Sequence, residues 1–273
     1  MTDLPFLLRL LDDPSPVVAA KVAARLRALG PGVWSEIEGR QLPLSGRQRL
    51  ALQTLALDVP LSVEDATALL WREWRELNAV QGETAYLERA LWLLSSWQDG
   101  ADASERGALA LDDLAREFTS FSDRRDALAL ASFLFDFRGF HGAPPADFYE
   151  PRNSNLLWVL EEGTGLPISL SCVFILVGAR VGLAIEGCNF PGHFLARDRR
   201  QGCVFDPYNR GRMLSDREVA TLEKAAPGEM RSSASAREIV ARVLRNLSVA
   251  YHHGGNGEHS GLMLSLLRAM DGD

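Results

Sequence analysis

GLPISLSCVFILVGARVGLAIEGCNFPGHFLAR (Gly165–Arg197) decides the architecture. Its first half, LPISLSCVFILVGARVG, predicts a helix. Pro167 falls near the first turn, where a missing N–H costs nothing, and Gly182 supplies the stop. The helix is apolar on nearly every face, so it belongs inside a core and not on a surface. The second half changes period. LAIEGCNF and HFLAR, and then CVFDPYN at Cys203–Asn209, are short runs rich in β-formers. The last two are separated by the turn-like DRRQG. They predict antiparallel strands packed on the central helix, so the expected fold class is α+β and mostly helical.

Working outward, the first 140 residues read as almost wholly helical. LPFLLRLLDD is a short helix, and in DDPSPVVAAKVAARLRALGP the residues Val18, Val22, Leu26 and Leu29 recur at helical steps before Gly30-Pro31 stops the run. The pair resembles one HEAT-like hairpin; no second copy follows, which argues against a solenoid. Further helices are predicted over 46–57, 63–77, 83–97, 105–118 and 123–138. Their stripe of Trp71, Trp74, Trp92, Phe133 and Phe137 is expected to pack in the core. NSNLLWVLEEGTG predicts a helix with Asn153 or Ser154 as N-cap and an exit at Gly163 or Gly165. The tail returns to helix, with AREIVARVLRNLSVAYHHGG and GEHSGLMLSLLRAM as a pair joined near GGNG. By texture the chain divides into a helical region over 1–120, a core over 121–230 and a C-terminal helix pair over 231–273.

The composition is 47% hydrophobic and 24% charged, ordinary for a globular chain that needs no disulfides or metals to bury a core. A net charge of −7 provides no basic field, so neither nucleic acid nor an anionic membrane is an expected partner. The start, MTDLPFLLRLLDD, lacks a basic n-region, and the apolar run Val173–Val177 is too short to span a bilayer. Three cysteines without a CxxC fit a reducing compartment, and a cytoplasmic location is the expectation. No His/Cys/Asp/Glu spacing makes a metal site, and no cofactor is expected.

Four ordered motifs carry a family resemblance: Asn153-Ser154, GLPISLS at Gly165–Ser171, PGHF at Pro191–Phe194 and DPYN at Asp206–Asn209. Together they resemble the transglutaminase-like superfamily, and more closely its SirB-type branch, over about residues 123–270. The tail is similar to a truncated tetratricopeptide-type segment. The resemblance implies a papain-like arrangement. A central helix presents a cysteine at its N-terminus, where the helix dipole favours thiolate, and a sheet presents a histidine and then an aspartate that orients it.

His193 and Asp206 match the histidine and aspartate positions by motif. The helix-start cysteine does not match: aligned on Gly182, its position falls at Pro167, which has no nucleophile. Cys172 is the tempting substitute. At 100° per residue, however, five residues turn about 500°, so Cys172 points about 140° away from Pro167 and reads best as a core residue. Ser171 shares Pro167's face one turn deeper, and Ser169 could help cap the first turn. Cys188 lies on the strand leading into the His193 turn. Asn153, Ser169, Ser171 and Cys188 are the expected pocket residues, and His193, Asp206 and Cys172 the candidate catalytic ones.

Two functions follow. One is a non-catalytic module binding another protein or peptide, or a small ligand. The other is a papain-like hydrolase or acyltransferase with a displaced cysteine served by His193 and Asp206.

Overall fold

The computed structural model describes residues 4–11, 16–29, 32–45, 48, 51–52, 63–190, 193–225 and 233–271. The chain falls into two compact units, 1–70 and 71–273. In the first, helices α1 (Leu4–Arg9), α2 (Pro16–Leu29) and α3 (Gly32–Gly39) close over Leu4, Leu8, Val22, Leu26, Val33, Ile37 and Leu52. Gln48 Nε2 donates to the Leu8 carbonyl oxygen at 2.9 Å. The helix expected over 46–57 lies largely outside the described residues. The division between the units falls within helix α4 (Val63–Glu76).

The second unit is built around one helix. Helices α5 (Glu83–Asp99), α6 (Ala103–Phe121) and α7 (Ala127–Ala131) lead into a π-helical turn, Ser132–Phe137. Then come α8 (Leu156–Glu162) and the central α9 (Pro167–Arg180). Every residue of α9 from Ile168 to Gly178 is buried. That is what a helix apolar all round must do, and each large aliphatic or aromatic side chain so buried contributes about 1.5–3 kcal/mol.

Strands β3 (Ile185–Phe190), β4 (His193–Asp198), β5 (Val204–Asp206) and β6 (Arg212–Met213) form an antiparallel sheet in that order. Helix α10 (Asp216–Ala225) follows, then α11 (Ala236–His253) and α12 (Gly257–Asp271). The fold is thus α+β and mostly helical, as the sequence implies.

The register defines two faces. Directly opposed residues share a face, and neighbours along a strand alternate. Gly187 opposes Ala196, Asn189 opposes Phe194, and Ala196 opposes Phe205. This set faces α9 and α11. Phe205 meets Phe174 edge-on at 5.4 Å, and Gly187 lies against Phe194 and Ile239. Gly178 lets the sheet approach α9, since a Cβ there would stand 2.7 Å from Ile185. The alternate set carries Cys188 opposite Leu195, Phe190 opposite His193, Val204 opposite Arg197 and Asp206 opposite Arg212. Cys188, Phe190, Leu195, Val204 and Leu214 pack there with Val219 and Leu222 of α10.

Several details differ from expectation. The cap of α8 is Asn155, whose side chain accepts from the Trp158 N–H at 3.2 Å; Asn153 and Ser154 lie in a preceding 3₁₀ turn. Gly163, left-handed at φ 70°, provides the exit. His141–Gly142 (β1) pairs in parallel with Thr164–Gly165 (β2), two-residue strands too short to leave a periodic signal. Phe133 is buried, but Phe137 is 65% exposed. The wider π turn offsets the helical stripe so that its last member leaves the core.

Candidate functional site

Local backbone chemistry organises the start of α9. Pro167 occupies the first helical turn and no side chain caps the helix. The Asn153 carbonyl oxygen accepts from the Ser169 hydroxyl at 2.7 Å and from the Leu166 N–H at 3.1 Å, while Asn153 Nδ2 donates to the Asp147 carbonyl at 2.6 Å. Ser171 donates to the Pro167 carbonyl at 2.8 Å, the i−4 bond open to a serine inside a helix. The Asn-Ser and GLPISLS motifs therefore meet as a clamp that fixes the helix start. Both hydroxyls are buried and spent on carbonyls, so neither is held by a base.

Two of the three thiols are equally closed, while Cys203 is only half-buried. Cys172 is fully buried, and desolvation pushes its pKa up to about 12. Cys188 is also fully buried. Burial raises it to about 11, with Arg197 pulling the other way and Glu186 adding a smaller upward push. A thiol is nucleophilic as thiolate, so neither is activated at neutral pH. The four residues expected to line a pocket, Asn153, Ser169, Ser171 and Cys188, are interior residues of the clamp and of the α10-facing layer. They do not line the cavity described next.

His193 and Asp206 do meet at a cavity, on the face turned away from α9. Its volume is about 300 Å³. His193, Leu195 and Asp206 supply the sheet side, Arg212 and Leu214 the β6 side, and Arg217, Glu218, Thr221 and Leu222 the α10 side. No hydrogen bond joins His193 to Asp206. His193 Nδ1 is enclosed and has no hydrogen-bond partner among the described residues. Asp206 accepts from the backbone N–H of Asn209 at 3.2 Å and from its side-chain amide at 2.6 Å, capping the 3₁₀ turn Pro207–Asn209. Tyr208 of the same motif donates to the Ala143 carbonyl at 2.7 Å, and its ring lies where a Cβ on Gly142 would be. DPYN thus ties the sheet end to β1. The PGHF turn is described from His193 onward; Pro191 and Gly192 lie outside the described residues.

Arg212, Arg217 and Glu218 were not singled out from the sequence, although Ser215-x-x-Glu218 is a readable capping box. Glu218 accepts from the Ser215 N–H at 2.9 Å, from its hydroxyl at 2.8 Å and from Arg212 at 2.7 Å. These bonds, the Ser215 N–H foremost, hold its carboxyl down at about 2. Arg217 makes no side-chain hydrogen bond or ion pair among the described residues. Among the same residues no cluster of three or more His, Cys, Asp or Glu could hold a metal ion, and no helix is long and apolar enough to cross a membrane.

A buried central helix clamped at its start, laid on an antiparallel sheet that ends in histidine and aspartate, is the pattern of one known family. The model of the transglutaminase-like superfamily matches residues 106–245, and the chain belongs to that family. Among curated proteins, a UPF0162 protein of Xylella fastidiosa is 36% identical over 137 residues, covering 45% of this chain and 48% of the relative. A UPF0162 protein of Pseudomonas aeruginosa is 29% identical over 184 residues, 64% of this chain and 68% of the relative. Mouse F-box only protein 21 is 31% identical over 104 residues, 34% of this chain and 16% of its own. The chain spans about half the length of the Xylella relative it matches. No solved structure matches.

Proposed function

We propose that this protein is a non-catalytic member of the transglutaminase-like superfamily, of its SirB-type branch, that works as a binding module for a protein or peptide partner or a small ligand. The carrying observation is the separation of parts. α9 covers one face of the sheet through Phe174 and Gly178, while His193 and Asp206 present the other, in a cavity that Pro167 does not line. The enclosed thiols and the two serines bonded to carbonyls support the same conclusion. The four ordered motifs support the branch assignment, and the clamp and cap bonds give them structural work. The HEAT-like start and the tetratricopeptide-like tail belong to the same proposal, as does a cytoplasmic location.

The test is the iodoacetamide alkylation rate of each cysteine between about pH 5 and 9, in the native protein and in His193→Ala. Slow reaction of Cys172 and Cys188 unless the chain is unfolded is expected. Fast alkylation of either well below the ordinary thiol pKa of about 8.5, lost in His193→Ala, makes the protein a thiol enzyme and overturns the proposal.

A further inference from the structure

We propose that the cavity beneath α10 binds a small carboxylate with an apolar body. This deepens the proposed function, since it takes the cavity as a binding site and not as a catalytic cleft. Three leucines, Leu195, Leu214 and Leu222, give it hydrocarbon walls. Its acidic groups are already occupied. Asp206 is only 3% exposed and accepts from Asn209 at both oxygens. Both oxygens of Glu218 are taken, one by Arg212 and the other by Ser215. Among the charged groups, those left to meet a ligand are donors. Arg217 brings a guanidinium without a partner among the described residues, and Arg212 contacts Glu218 through a single nitrogen.

An occupant therefore brings acceptors to the arginines and hydrocarbon to the leucines. A planar carboxylate matches the guanidinium fork, which can hold it through two parallel N–H···O bonds. The volume, about 300 Å³, is at the small end of ligand sites. It has room for a body at least as large as one apolar side chain. An uncharged hydrocarbon would leave the Arg217 donors unused, and an amine would meet two arginines.

A free carboxylic acid and the carboxyl end of a peptide with an apolar last residue share this chemistry, and the experiment separates them. Calorimetry on the full chain uses hexanoate, its neutral counterpart hexanamide, a tripeptide ending in leucine and the C-terminal amide of that tripeptide. Hexanoate is expected to bind, with hexanamide weaker by about tenfold or more, as expected for loss of a charged hydrogen-bonding pair. Tighter binding of the tripeptide acid, lost in its amide, assigns the site to chain ends; hexanoate binding alone assigns it to free acids.

Arg217→Ala, at an exposed position of α10, is expected to weaken binding about tenfold with unchanged circular dichroism, and Leu222→Trp to fill the cavity and abolish it. No heat from either carboxylate, equal affinity for acid and amide, or Arg217→Ala binding within about twofold of wild type would overturn the inference. Fast thiol alkylation in a protein that still binds hexanoate would sink the proposed function and leave this site standing. Slow thiols with no carboxylate binding would do the reverse.

Discussion

The two faces of the four-stranded sheet have opposite characters. The α9 face is a sealed packing surface in which Phe174 meets Phe205, Phe194 is buried against Gly187, and two glycines, Gly178 and Gly187, let elements approach. The α10 face begins the same way, with Cys188, Phe190 and Val204, but opens towards His193 and Asp206 into a cavity with charged residues along it. One strand serves both, because successive side chains of β4 point to opposite sides. The comparison teaches where stability and binding are housed: a change on the first face should cost folding, and a change on the second should mainly alter what the cavity accepts.

The sharpest way to break this contrast is Phe174→Ala. It removes a fully buried ring from the sealed face and is expected to cost about 3–5 kcal/mol in urea unfolding. Leu222→Ala, on the half-buried wall of the cavity, is expected to cost well under half of that. Equal losses would erase the distinction.

Next in size is Gly211→Ala, at the turn leading into β6. Gly211 holds φ at +63°, and a Cβ there would lie 1.9 Å from the Phe135 ring. Strain and overlap together predict a loss of about 2–4 kcal/mol, read as a lower urea midpoint at unchanged slope.

Ser169→Ala tests the clamp more gently. It removes the hydroxyl donor from the Asn153 carbonyl while the Leu166 N–H remains, so a loss of about 1 kcal/mol is expected. A serine nucleophile would instead betray itself by labelling with a fluorophosphonate probe.

The smallest effect concerns Glu218. Its carboxyl is held at about 2 in the folded protein against an ordinary 4.5. A depressed carboxylate stabilises above the unfolded value and loses that contribution as pH falls towards the folded one. Glu218→Gln should therefore flatten the pH dependence of stability between about pH 4.5 and 2 and leave its shape above that range unchanged. A wild-type slope retained in the variant would remove the Arg212–Glu218–Ser215 arrangement from the account.

Much of this molecule was legible in the chain. The interior helix followed from residues apolar on every face, which can be satisfied only by burial on every face. β3, β4 and β5 followed from their β-formers and the turn between the last two. The tail helices followed from their period, and Ser235 and Glu238 form the reciprocal cap at the start of α11. The division was less direct. Texture suggests breaks at 120/121 and 230/231, whereas contacts group residues 71–273 as one unit. α11 lies against Gly187 through Ile239 and buries Val240, Val243, Leu244 and Leu247.

Sequence alone also determined that Pro167, a residue with no nucleophile, stands in the first turn of the central helix, because a residue's identity needs no coordinates. Only the tertiary structure decided what surrounds the groups near it. Strand alternation fixes that His193 and Phe194 point to opposite faces, but not which of them meets α9; packing against Phe174 and Ile239 settles it in favour of Phe194 and its neighbours. The desolvation that closes Cys172 and Cys188, the bonding of Asp206 to Asn209 and the place of Arg217 beside the Arg212–Glu218 pair all depend on groups brought together in space. Local sequence sets period and propensity; burial and charge pairing come from elements that meet only once the chain has folded.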